Sequence, residues 1–250
     1  MSLEACRSLV ERADPERFSA AQLGTETAQK VLWPLYAMNV EVSRAPWVTQ
    51  EPMIAEMRLQ WWRDALEEIA EGKPIRAHEV TTALGTAIGA REAALLDQLV
   101  QARRWDIYKD GFDDEAALLA YLDNTAGLLM WVGALALGAP EDAKADVIAY
   151  GCAAGLARFL QAAPELEARG RRPLVDGTPE GVRALCKTVL SDMPKATTLK
   201  RRLGKDAASV ITEGWQTRAL LQQGIKNPTR VAEGALGLSE FGKRWRLLLS

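Results

Sequence analysis

The chain has 250 residues, 48% hydrophobic and 26% charged, with a net charge of −2. That size and apolar content suit one globular domain spanning 1–250 with a substantial core. The near-neutral balance argues against the basic field of a nucleic-acid binder. A lone histidine, His78, and three scattered cysteines, Cys6, Cys152 and Cys186, argue against a disulfide framework or a Cys/His zinc site and fit a reducing, cytoplasmic compartment. The opening stretch MSLEACRSLVERADPERF has early acids and no long apolar run, so no signal peptide is expected.

In chain order, residues 2–13 read as a first helix, and Asp14-Pro15-Glu16 as a helix start with an aspartate N-cap and a proline in the first turn. Residues 25–43 form one helix, with Pro34 as a kink. Prolines 46 and 52 bracket a turn before the stretch 53–72, MIAEMRLQWWRDALEEIAEG. At helical spacing, Ile54, Trp61, Trp62, Ala65, Leu66 and Ile69 share its apolar side. Arg58 falls among them, where a guanidinium needs partners, so it is read either as a salt-bridged or snorkelling residue or as the wall of a pocket.

Further helices are predicted over 78–89, 90–108, 115–138 and 142–163. Arg103 leans to the apolar side, with Asp106 as its partner three residues on. The most apolar run, 126–138, is shorter than the roughly 20 residues of a membrane span, so it is a buried core helix. Residues 165–179 are a loop carrying Arg169, Arg171 and Arg172. Helices at 180–192 and 207–224 flank a short basic piece, 194–204, and the tail ends in GKRWRLLLS. There is no alternating strand pattern, Gly-rich phosphate loop, GxSxG elbow or repeat. Composition and periodicity therefore give an all-α protein and no chemistry.

Several phrases carry a resemblance. DPERFSAAQL at 14–23, LWPLYAMNVEVSR at 32–44, EMRLQWWRDALEEI at 56–69, and then YGCAAGLARFL and ARGRRPL follow one another in order. In this order and spacing the chain resembles the squalene/phytoene synthase family, most clearly over 14–175. The resemblance implies an isoprenoid-synthase-type helical bundle with a central cavity. It also implies ionisation of an allylic diphosphate by Mg²⁺ held by aspartates on two facing helices. A hard cation needs oxygen ligands in near-octahedral array, which carboxylates one helical turn apart can supply.

This chain departs from that pattern. Counting about seven to eleven residues on from Tyr36 reaches Ser43, Arg44 and Trp47, and the second cluster falls at about Ala162 and Leu166. Neither 38–50 nor 151–170 contains an aspartate. No metal ligands and no catalytic residues are therefore assigned, and no cofactor is expected.

The resemblance extends to a degenerate offshoot, the phytoene-synthase-like assembly factor of respiratory complex I. That implies a non-catalytic protein whose partners are a respiratory-complex subunit or assembly partner and an isoprenoid or lipid in the cavity. The candidate substrate-binding residues are Tyr36, Arg58, Trp62, Tyr121, Arg169 and Arg171, the arginine forks being suited to phosphate oxygens. The alternative is an active prenyl-diphosphate synthase using Mg²⁺, which requires carboxylates such as Glu41, Glu165, Asp106 or Asp123 to converge. A third reading is a simple lipid carrier. Basic residues beside a tryptophan and leucines at 194–205 and 241–250 suit docking on the inner membrane surface.

Overall fold

A computed structural model describes residues 2–49 and 51–249, and every described element is helical. The first helices are α1 (Ser2–Ala13), α2 (Pro15–Gln22), α3 (Glu26–Arg44) and α4 (Pro52–Ala70). Next come α5 (Glu79–Ala87), α6 (Ala90–Ala102), α7 (Glu115–Leu122), α8 (Leu128–Ala136) and α9 (Lys144–Ala168). The last are α10 (Pro179–Asp192), α11 (Ala196–Leu203), α12 (Thr217–Lys226), α13 (Thr229–Ala232) and α14 (Glu240–Leu248).

Local chemistry sets many of the starts. Asp14 accepts the Arg17 amide at 3.0 Å, Thr25 that of Ala28 at 3.1 Å, and Asp114 that of Ala117 at 2.8 Å. His78 is the N-cap of α5, its Nδ1 accepting the Val80 amide at 3.2 Å.

The core is continuous. Trp131, Tyr36, Leu32, Leu35 and Leu129 are fully or almost fully buried at its centre. α1 packs on α3 and α5, α4 on α6, and α8 on α6 and α9. The run Glu115–Ala136 is long and apolar enough to cross a membrane, but 72% of its most apolar window is buried inside the protein, as in a core helix.

That run is not one regular helix. Between α7 and α8, Asp123–Gly127 form a π-helical turn, with Thr125 Oγ1 donating to the Tyr121 carbonyl at 2.7 Å. The turn crosses α9 where both chains are glycine. A Cβ on Gly151 would stand 2.8 Å from Gly127 Cα and 2.9 Å from the Ala126 carbonyl oxygen.

Four expectations are corrected. Residues 103–107 form a 3₁₀ turn rather than extending α6. Residues 207–214 are also 3₁₀, so the helix expected over 207–224 is two elements. α9 passes through Pro164 to Ala168 instead of stopping before the loop. Proline removes one backbone bond, but burying Ala163 and Leu166 holds the turn, and the helix closes with Arg169 N–H donating to the Glu165 carbonyl at 3.2 Å. Finally, the buried stripe of α4 is Ala55, Leu59, Trp62, Leu66 and Ile69. Its register leaves Ile54 and Arg58 exposed and Trp61 half-buried.

Candidate functional site

A cleft of about 670 Å³ opens between α2, α3, the π turn and α9. Arg17, Arg44, Arg103 and Arg158 line it, with Asn39, Tyr121 and Phe159. The start of α2 positions Arg17, because the Asp14 cap and Pro15 fix the first turn and aim its side chain inward. There Arg17 Nε donates to Glu213 Oε1 at 2.8 Å, and its Nη1 to Asp14 Oδ2 at 2.9 Å. Arg158 on α9 joins the same two carboxylates, at 3.3 Å from Asp14 and 3.6 Å from Glu213. The result is a network of two arginines and two carboxylates, in which Glu213 Oε2 is left, among the described residues, without a hydrogen-bond partner.

Burial alone would lift the Asp14 carboxyl, but Arg17 and Arg158 outweigh it and hold its pKa below the usual range. Burial also opposes the charge on Arg17, and the Glu213 and Asp14 carboxylates reverse that, leaving it more firmly protonated. Tyr36 lies under the Arg17 guanidinium, 5.6 Å from its ring centre. Burial first, and the Glu213 charge second, push the Tyr36 hydroxyl far up, so it stays neutral.

A second network lies beside the first. Arg103 Nη1 donates to Asp106 Oδ2 at 3.2 Å and to Tyr121 Oη at 2.9 Å, and Tyr121 Oη donates to Asp106 Oδ1 at 2.8 Å. Burial, with Asp106 adding to it, keeps Tyr121 protonated. Among the described residues, Arg103 Nε and Asn39 Oδ1 are buried without a hydrogen-bond partner.

The six residues singled out in the sequence do not form one site. Tyr36 and Tyr121 meet these networks. Trp62 packs edge-on against His78 in the core, 5.7 Å between ring centres. Arg58 is exposed on the outside of α4, so it is neither a core residue nor a wall of this cleft. Arg169 and Arg171 line a different pocket of about 600 Å³ with Trp47 and Tyr108. Their guanidiniums stack 4.7 and 5.0 Å from the Trp47 ring. Arg171 is buried and donates to the Tyr108 carbonyl at 2.8 Å and to the Asp106 carbonyl, which staples the segment after α9 to the end of the 3₁₀ turn.

Sequence reading missed Arg17, Arg158 and Glu213. Nothing local signals an ion pair between residues 196 apart. The cysteines are all free and buried. Burial, with Glu79 adding to it, raises the Cys6 thiol to about 12, and burial raises Cys186 to about 11, which leaves them inert.

The family model for squalene/phytoene synthase matches residues 10–232. The chain belongs to the squalene/phytoene synthase family. Over the whole chain its fold is similar to that of a dehydrosqualene synthase crystallised with ligand (TM-score 0.77, 16% identity, 99% of this chain and 94% of the other). It is also similar to the squalene synthase HpnC from Alicyclobacillus acidocaldarius (TM-score 0.69, 16% identity, 91% and 94%).

Curated relatives carry another name. NADH dehydrogenase (ubiquinone) complex I assembly factor 6 homolog of Drosophila melanogaster is 32% identical over 179 residues, covering 68% of this chain and 53% of that protein. Complex I assembly factor 6 of Mus musculus is 27% identical over 164 residues, covering 64% and 48%. The chain therefore spans about half the length of these relatives.

Of the places where the resemblance puts aspartates in this family member, three face the arginine cleft, whereas Trp47 lines the pocket of Arg169 and Arg171 and Leu166 is buried. Ser43 and Arg44 line the cleft from α3, and Ala162 from α9. A hydroxyl, a guanidinium and a methyl group do not fit a divalent cation that needs several oxygen ligands. The substitute carboxylates are committed elsewhere. Glu41 lies 3.4 Å from Arg44, Glu165 lies 2.7 Å from Arg169, and Asp106 is held by Tyr121 and Arg103. Asp123 is half-buried beside Cys152. Among the described residues, no three His, Cys, Asp or Glu side chains gather to hold a metal.

Proposed function

We propose that this chain is a non-catalytic member of its family that serves in the assembly of respiratory complex I, acting by binding rather than by ionising a prenyl diphosphate. The observation that carries the reading is the ion-pair network at the cleft. Asp14 and Glu213 neutralise Arg17 at hydrogen-bond distance, and Arg158 donates to Asp14 at 3.3 Å and forms an ion pair with Glu213 at 3.6 Å. An ionising site needs carboxylates free to take up cations, and these are already paired with arginines. The names of the two curated relatives support the complex I role, with a component of that complex as the protein partner.

What remains of the cleft suits a lipid or isoprenoid tail held without Mg²⁺, because Leu122, Ala126 and Phe159 give it an apolar wall. A protein in this role works in the cytoplasm, against the inner membrane.

The test is genetic and structural at once. The gene is deleted in its own host, and complex I is followed on native gels and by NADH:quinone activity. The proposal expects fully assembled complex I to fall several-fold and to return with the intact chain. Unchanged assembly would contradict it.

A further inference from the structure

A third concavity, of about 600 Å³, lies beneath α14, bounded by α11, the 207–214 turn and α14 itself. Its walls are apolar at Met193, Ile211 and Trp215, and Lys200, Arg218 and Arg246 point cations into it. Among the described residues, no acidic side chain lines it. Among the described residues, none of these three cations lies within ion-pair distance of a carboxylate, although acids outnumber bases in the whole chain, 33 to 31. Lys200 Nζ is held by Thr212 Oγ1 at 2.8 Å, a neutral partner, and burial lowers its pKa.

The helix above the groove has no buried residue. Phe241 is 78% exposed, Trp245 57%, Leu248 75% and Leu249 70%. The aromatic pair stacks at 6.5 Å between ring centres. Among the charged residues of α14, Lys243 reaches Glu16 on α2 at 3.7 Å and Glu240 at 3.2 Å.

We propose that the groove beneath α14 binds an anionic phospholipid at a bilayer surface. Its acyl chain lies against Met193, Ile211 and Trp215, and its phosphate lies among Lys200, Arg218 and Arg246. Charge complementarity selects this occupant: a cationic, acid-free rim on an apolar channel matches an anion attached to a hydrocarbon tail. The exposed aromatic and leucine side chains of α14 supply the interfacial contact that brings the groove to the headgroup layer. The site is separate from the arginine cleft and does not depend on the reading of that cleft.

The test is flotation of the full chain with vesicles of phosphatidylglycerol mixed into phosphatidylcholine, against phosphatidylcholine alone. The protein is expected to float with the anionic vesicles and to stay behind with the neutral ones. The double variant Arg218→Glu/Arg246→Glu, at two exposed positions, should lose about tenfold or more of the binding. Thr197→Trp keeps every charge but fills the groove from its exposed rim, and it should weaken binding comparably. Circular dichroism melts check that both variants are folded. Equal flotation with neutral vesicles, or retained binding in the charge-reversal variant, would overturn the proposal. Loss with the charge reversal but parental binding by Thr197→Trp would also overturn it, because attraction to the surface would then need no groove.

Discussion

The arginine cleft and the groove beneath α14 are built from similar cations with opposite surroundings. In the cleft, Arg17 and Arg158 close on Asp14 and Glu213, and the carboxylates are supplied from residues far apart in the chain. Beneath α14, Lys200, Arg218 and Arg246 line a groove that, among the described residues, no carboxylate lines. A buried cation with an internal partner contributes to the fold, because removing that partner leaves an uncompensated charge. A half-exposed cation without one contributes little to the fold and is free for an external anion. The contrast separates a structural use of charge from a binding use.

The sharpest way to break this comparison is Glu213→Ala. Its side chain is 2% exposed and its partner Arg17 is 9% exposed. The substitution should cost about 3–5 kcal/mol, seen as a fall in the urea midpoint. Arg218→Glu in the groove should stay within about 0.5 kcal/mol of the parent. Similar losses at both positions would erase the distinction.

The next effect concerns the packing of the π turn on α9. Gly151→Ala forces a methyl group against the π-turn backbone at under 3 Å, and overpacking of this kind costs about 1–3 kcal/mol. Thermal melts would show it, and a neutral result would mean that the π turn yields.

Acid sensitivity should also divide the two regions. The folded Asp14 carboxyl is held below its unfolded value, near 3.9. As pH falls, the unfolded chain therefore takes up that proton first. The contribution is complete above about pH 5 and drains away as pH drops through the folded value. Asp14→Asn keeps a cap acceptor but should flatten this acid limb in urea midpoints taken from pH 6 to pH 3. A parallel limb would deny Asp14 its role. The smallest effect is expected at α14: Phe241→Ser/Trp245→Ser should move the melt by about 0.5 kcal/mol or less, because neither side chain is buried.

Much of the fold was legible because helix starts are local. Asp14-Pro15, Thr25, His78 and Asp114 each mark a start with a side chain that accepts a backbone N–H a few residues on. The Arg103–Asp106 pair was legible for the same reason, being three residues apart. The cleft was readable only through what it lacks: Ser43, Arg44 and Ala162 stand where the family resemblance puts carboxylates, and all three line one space.

Its positive content was not legible. Arg158 sits in the apolar phrase GLARFL, and Glu213 in a 3₁₀ turn that reads as ordinary helix. Only tertiary packing joins them to Arg17. Arg58 was misplaced because two adjacent tryptophans pulled the apparent apolar face round the helix. Only Trp62 is buried, and the true stripe runs through Ala55 and Leu59. The cluster at 169–172 reads as a phosphate grip, yet Arg171 serves two backbone carbonyls and stacks on Trp47.

The central claim is that Ser43, Arg44 and Ala162 stand where this family's ionising chemistry would need carboxylates, and that the neighbouring Asp14 and Glu213 are held by arginines. Its most direct test is diphosphate release from farnesyl and geranylgeranyl diphosphate with Mg²⁺ or Mn²⁺, beside an authentic synthase and with folding verified. The account predicts no release above the protein-free background. Turnover at a rate comparable with the synthase would contradict it and would show that carboxylates in this cleft leave their arginines to hold metal.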